Sequence, residues 1–313
     1  MNAVVTGVAG FIGSHLAERL LSGGATVIGI DCFTDYYARE LKEANLTTLR
    51  ANKEFYLFET TIQDADWPAL LRNTTHLFHL AAQAGVRKSW GSDFSFYTKC
   101  NIEATQVMLE ACRSASLERL VYASSSSVYG DISEIPMKED ARLRPISPYG
   151  VTKLAAEHLC YLYWANYGLP AVSLRYFTVY GPRQRPDMAF NRFLKAMHSG
   201  VPITLYGDGE QTRDFTFVDD AVSATVAAGH HGVPGRVYNI GGGSRVSMNE
   251  VLTLMKRCTG FDPIVNKEES QNGDMRDTYA DTELAKQDLD FAPSVTLEQG
   301  IETEYKWLSD LTP

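Results

Sequence analysis

The chain has 313 residues, 44% of them apolar and 21% charged, and a formal net charge of -9. That is ordinary globular composition, in a chain long enough for one large or two intimate domains around a sizeable core. The acidic balance argues against nucleic acid or an anionic membrane surface as the main partner, while leaving room for local arginines to bind a small anionic ligand.

In chain order, the N-terminal "MNAVVTG" enters a strand at once, with no basic region or cleavage site, so no signal peptide is expected. Short β-rich apolar runs follow one another: "AVVTG", "TVIGID", "FYLFE", "HLFHLAA" and "RLVYASS". Helical patterns such as "GSHLAERLLSGG" and "NIEATQVMLEACRSA" lie between them. This alternation predicts an α/β fold built on a doubly wound Rossmann-type parallel sheet. Residues 149–167 read as a long helix and "AVSLRYF" as a further buried strand. After residue 178 the texture changes. "TVYGPRQRPDMAF" is loop-like, "NRFLKAMHSG" is a helix ended by glycine, and "GDGEQTRDF" is rich in turn residues. "FTFVDDAVSATVAAG" reads as a strand end and a helix, "GRVYNIGG" as a strand, and "SMNEVLTLMKRCTG" as a serine-capped helix. There is no repeat, low-complexity segment or linker, and no apolar run long enough to span a bilayer. The five cysteines show no C-x-x-C pairing, which fits reduced thiols in a cytoplasmic protein.

Gly7, Gly10 and Gly13 fall between the first strand and the first helix, in "VVTGVAGFIGSHLAERL". Glycines there let the backbone approach a pyrophosphate, and the helix N-terminus offers free N–H groups. The second strand ends in Asp31, where an acid hydrogen-bonds ribose hydroxyls and repels a 2′-phosphate, so NAD is favoured over NADP. Further on, "SPYGVTKLAAEHL" sets Tyr149 and Lys153 four apart on one helix face. An ammonium beside a phenol favours the phenolate, and a cationic nicotinamide would act in the same direction, fitting Tyr149 as a general base.

The G-x-x-G-x-x-G spacing joined to the tyrosine–lysine pair resembles the extended short-chain dehydrogenase/reductases, in the NAD-dependent epimerase/dehydratase family, over essentially the whole chain. The resemblance implies that Ser125, four residues before the tyrosine of "VYG", assists Tyr149 and Lys153 in catalysis. It also informs the neighbouring serines. The 4,6-dehydratases of the family carry an Asp-Glu pair where Ser126 and Ser127 stand, and UDP-glucuronate decarboxylases carry glutamate at the position of Ser127. Lacking those acids, the chain is left with oxidation at C4 of a sugar and return of the hydride, which is epimerisation if the keto sugar turns over in between.

The loop "RYFTVYGPRQRPDMAFNRF" resembles that of UDP-glucuronate 4-epimerases. Galactose-type enzymes usually have asparagine at Thr178 and lack Arg185. Ser126, Ser127, Thr178 and Arg185 suit a sugar carboxylate, which guanidinium matches well; a loop ion pair with Asp187 would use the same arginine. By the same resemblance, Met188, Arg192, Arg213 and Arg276 face the nucleotide sugar, Thr204 and Tyr206 the base, and Arg87 the sugar. Phe11, Ile12, Ile62, Leu80, Ala81, Ala82 and Asn101 join the cofactor contacts, although Thr61 stands before Ile62 where many relatives have an aspartate.

The resulting expectation is an NAD-dependent UDP-glucuronate 4-epimerase, homodimeric and without a metal. Residues 1–177, with a return segment near 214–243, would bind NAD, and 178–213 with 244–313 the nucleotide sugar. The alternatives are a 4-epimerase of a neutral UDP-hexose or UDP-N-acetylhexosamine, a decarboxylase, and a non-catalytic NAD-sensing protein. The tyrosine–lysine pair argues against the last.

Overall fold

The computed structural model describes residues 1–311. Its main sheet has seven strands: β1 (Asn2–Thr6), β2 (Thr26–Asp31), β3 (Phe55–Glu59), β4 (His76–His79), β5 (Arg119–Ser125), β6 (Ala171–Tyr176) and β7 (Val237–Ile240). They lie in the order β7-β6-β5-β4-β1-β2-β3, and every neighbouring pair is parallel. A parallel sheet is covered on both faces, which is why its strands read as apolar runs; all six residues of β6 are buried.

The principal helices are α1 (Phe11–Ser22), α2 (Ala104–Cys112), α3 (Pro148–Tyr167), α4 (Ala189–Ser199), α5 (Val218–His231), α6 (Met248–Thr259) and α7 (Leu297–Leu311). The period-2 alternation of β1 divides the core between them. Val4 packs with Leu77, Leu120, Met108 and Ala156 on the α2/α3 side. Ala3 and Val5 pack with Leu16, Leu20 and Ala221 on the α1/α5 side. The strand order reverses between β1 and β4, and the crevice outside the carboxyl ends of strands at such a reversal is where an open α/β sheet holds its ligand.

The helix that carries Tyr149 and Lys153 is firmly delimited. Ser147 Oγ accepts from Gly150 N at 3.1 Å, Pro148 stands in the first turn, and Gly168 ends the helix in the left-handed region at φ 70°. The serine expected to begin α6 is there too, as Ser247 in a reciprocal cap with Glu250.

Beyond residue 200 the structure holds more strand than the sequence suggests. Ile203–Tyr206 pairs in parallel with Val265–Glu268. Thr212–Asp214, inside the expected turn-rich loop, pairs antiparallel with Arg245–Ser247. Strands of three or four residues are too short to display an alternation, so only their partners define them. No helix among the described residues is long and apolar enough to cross a membrane.

Candidate active site

The crevice at the strand reversal opens into two cavities that share a wall including Phe11, Ile12, Tyr149 and Arg185. The first, about 330 Å³, follows the carboxyl ends of β1, β2 and β4. Gly7, Gly10, Phe11, Ile12, Gly13, Asp31, Ile62, Leu80, Ala81 and Ala82 line it, and Tyr149 and Lys153 close one end.

The glycine turn is sterically enforced at two of its three positions. Gly7 has φ +71°, and a Cβ there would stand 2.8 Å from the backbone nitrogen of Ala81. A Cβ on Gly13 would stand 2.2 Å from Gly7 O. Asp31 accepts from Ala9 N at 3.1 Å and from Phe33 N at 2.9 Å, and burial raises its carboxyl pKa despite those bonds. Each oxygen keeps a second lone pair for a ribose hydroxyl.

Asn101 is placed differently from the other expected cofactor residues. It lies outside this cavity wall, 1% exposed, with its amide bonded to both backbone groups of Gln83 and to Thr152 Oγ1 at 2.7–3.0 Å. It braces the strand-to-helix connection against α3. Tyr36, Tyr37 and Lys42, which the sequence analysis did not single out, do line the cavity. Their signal is the aromatic pair in "DCFTDYYARE", directly after the strand that ends in Asp31.

The second cavity, about 300 Å³, brings Ser125, Ser126, Ser127, Tyr149, Thr178, Arg185, Met188 and Arg213 together. The first three come from the end of β5 and the turn after it, Tyr149 from α3, and Thr178, Arg185 and Met188 from the loop after β6. Ser124 also borders both cavities, but its hydroxyl donates to Glu157 at 2.6 Å. Glu157 also pairs with Arg175 at 2.6 Å, with both side chains almost fully buried. Arg175 in turn donates to Tyr129 OH at 2.8 Å, and Tyr129 donates to Asn239 at 2.7 Å. This network ties β5, β6, β7 and α3 together directly beneath the serines.

Arg185 forms a two-pronged ion pair with Asp187, 3.0 Å on each arm, and Tyr36 OH donates to the same carboxylate at 3.1 Å. The loop ion pair and the cavity-lining position are therefore both true of Arg185. Arg213 donates to the backbone oxygens of Thr212 and Arg276. Arg192 is half-buried, and its side chain makes no hydrogen bond or ion pair among the described residues. Arg192 and the remaining expected contacts stand back from the second cavity's wall. Arg87 pairs with Asp274 at 2.8 Å and covers the ring of half-buried Tyr206 at 4.1 Å, Thr204 is half-buried beside it, and Arg276 is exposed and clamped to Asp208.

The electrostatics of the pair differ from the expectation. Burial raises the Tyr149 phenol above its ordinary value, outweighing the lowering effects of Arg185 and of a hydrogen bond with Ser125. Burial also brings Lys153 down from 10.5 to about 7. A lysine that loses its charge from about neutrality upward gives little field to a phenol that burial holds high, so i,i+4 proximity alone does not make the phenolate. Added positive charge over the cavity, or a device that keeps the lysine charged, is required.

A glycine turn at the reversal of a parallel sheet, with a Tyr-x-x-x-Lys pair facing it, defines a dinucleotide-dependent enzyme of the short-chain dehydrogenase/reductase kind. The chain belongs to the NAD dependent epimerase/dehydratase family, whose sequence profile matches residues 3–241. It is 44% identical, over 99% of both chains, to YtcB of Bacillus subtilis, an uncharacterized UDP-glucose epimerase. It is 37% identical to the UDP-glucuronate 4-epimerase of Thermodesulfobacterium geofontis, over 97% of this chain and 95% of that one. Among solved structures it matches the UDP-glucuronic acid 4-epimerase of Bacillus cereus in complex with UDP-glucuronic acid and NAD. That match has a TM-score of 0.97 and 44% identity, and covers 99% of this chain and 100% of the other.

Proposed function

We propose that the protein is an NAD-dependent UDP-glucuronate 4-epimerase that interconverts UDP-glucuronate and UDP-galacturonate. The observation that carries this reading is the second cavity. A phenol base and an arginine face the same space, Ser126, Ser127 and Thr178 line it, and no carboxylate stands at 126 or 127 to drive elimination. The complex of the Bacillus cereus relative supports it.

The residues suit NAD: a glycine turn with no room for a side chain at Gly7 or Gly13, Asp31 with spare lone pairs, and Lys153 with unengaged donors. When bound, NAD supplies the nicotinamide that accepts the C4 hydride and gives it back. Tyr149 takes the O4 proton and later returns it, Ser125 holds the reacting oxygen, and Lys153 supplies positive charge beside the phenol. Arg213 and Arg192 are the candidates for the diphosphate, about which the keto sugar turns. Oxidation at C4 creates a β-keto acid, which loses CO2 when its carboxylate bond aligns with the carbonyl π system. Arg185, Thr178, Ser126 and Ser127 hold the carboxylate away from that alignment.

We assign NAD to residues 1–177 with the return segment 214–243, and the nucleotide sugar to 178–213 and 244–313. A homodimer is supported by Phe94, Val151, Tyr161 and Leu162, which are exposed on α3 and on the turn beside it. The five unpaired thiols support a cytoplasmic setting.

The test is comparison of kcat/KM for UDP-glucuronate, UDP-glucose and UDP-N-acetylglucosamine. The reading requires the uronate to lead by at least about tenfold, the discrimination that one charge-assisted contact gives; a neutral sugar in the lead would assign the protein to the alternative suggested by its likeness to YtcB.

A further inference from the structure

Lys153 poses a physical problem that the catalytic pair does not solve by itself. Its side chain is 3% exposed, and it makes no ion pair or side-chain hydrogen bond among the described residues. The nearest acid, Glu157, lies one turn further along α3, but its two oxygens are taken by Arg175 and Ser124. A buried ammonium without a partner is expected to discharge.

What does face it is an aromatic ring. Lys153 Nζ stands 4.5 Å from the ring centroid of Tyr122, in the middle of β5. Tyr122 is 1% exposed, and its hydroxyl has no hydrogen-bond partner among the described residues. The ring also contacts His79, its register partner on β4, with centroids 5.8 Å apart. His79 is clamped by Thr6 Oγ1 at 2.8 Å and Thr105 Oγ1 at 3.1 Å. Its burial keeps it neutral, with a pKa of about 3, so it adds no competing positive charge.

We propose that Tyr122 is a positioning residue for the reaction, its ring face seating the Lys153 ammonium so that the lysine stays charged in a dry site. A ring face attracts a cation through its quadrupole, and it leaves the N–H donors that point away from the ring free for a ribose and for the Tyr149 oxygen. A carboxylate in the same place would occupy those donors and cancel the field on the phenol. The other groups facing Lys153 are Glu157 and the Cys160 thiol on α3, the latter pushed well up by burial, and the neutral His79. This inference rests on Tyr149 as the base and Lys153 as its charged neighbour.

The test replaces Tyr122 in the NAD-loaded enzyme by Phe, and then by mono-, di- and trifluorophenylalanine, which keep the shape of the ring while draining its negative face. The readout is the pH profile of kcat/KM with UDP-glucuronate. Tyr122→Phe should retain the wild-type profile, because the hydroxyl has no partner to lose. Across the fluorinated series the acid limb should climb and the basic limb should fall, each by roughly one pH unit in total, as a desolvated cation–π contact predicts. A fluorinated series whose limbs do not move overturns the proposal, even if kcat drops, because a merely structural ring would behave that way. So does a Tyr122→Phe variant as impaired as the trifluoro form, since the hydroxyl would then be what matters. Tyr149→Phe separates the two readings: if it remains active, the underlying assignment of the base is wrong, whatever the fluorinated series shows.

Discussion

At the scale of single residues, the site sets charge against burial. Arg185 meets Asp187 through two N–H donors and faces both cavities with the rest of its fork. Arg185→Leu should therefore raise KM for UDP-glucuronate by roughly 10- to 100-fold, the worth of a hydrogen bond to a charged group, and leave turnover of a neutral UDP-sugar little changed. Steady-state kinetics on both substrates checks this, and a pentose product appearing in the variant would show that the carboxylate grip also governs decarboxylation. Lys153 gives a pH signature. Burial lowers its folded pKa from the ordinary 10.5 toward about 7, and the Tyr122 ring offsets only about one pH unit of that, so between the folded and the ordinary value the unfolded chain binds more protons than the folded one. Stability contributed by this group then rises with pH across that window, and below it the burial penalty is felt in full. Urea unfolding of the cofactor-stripped protein at about pH 7 and about pH 9.5 should show a gain at the higher pH that Lys153→Met lacks.

At the scale of elements, the network beneath the serines explains why the end of β5 is rigid enough to carry chemistry. Arg175 on β6 and Glu157 on α3 are buried as a pair, and both reach residues of the serine segment, Tyr129 and Ser124. Arg175→Met leaves Glu157 buried without its partner and should cost about 3–5 kcal/mol in denaturant unfolding. Glu157→Met in the same chain should recover part of that loss, because it removes the unpaired charge. The sequence made the helix with Tyr149 and Lys153 legible because its marks are local: a serine cap, a proline in the first turn and a closing glycine. The partner of Ser124 was not readable, because Glu157 lies 33 residues away and meets it only through the packing of α3 on β5. Asn101 shows the same limit from the other side. The resemblance implies a cofactor contact there, but not that Gln83 and Thr152 take both of its N–H donors and one lone pair of its oxygen.

For the whole molecule, the parallel sheet followed from alternation of strand and helix patterns, and the glycine turn marked where its crevice would lie. The small strand pairs after residue 200 did not follow, since each is defined by a partner more than 30 residues distant rather than by its own pattern. The exposed apolar side chains of α3 extend the account to assembly. Leu162→Glu, at a position 48% exposed in the single chain, should convert a dimer to a monomer by light scattering while leaving the monomer folded; an unchanged mass would place the interface elsewhere. The central claim is that this cavity holds a uronate through oxidation at C4 and returns the hydride without losing CO2. The most direct measurement is to incubate the NAD-loaded protein with UDP-glucuronate and follow products by NMR with a trap for CO2. The account predicts an equilibrium mixture with UDP-galacturonate, reached equally from UDP-galacturonate, with no CO2 released. A pentose product accompanied by CO2, or no reaction with the uronate while a neutral UDP-sugar turns over, would contradict it.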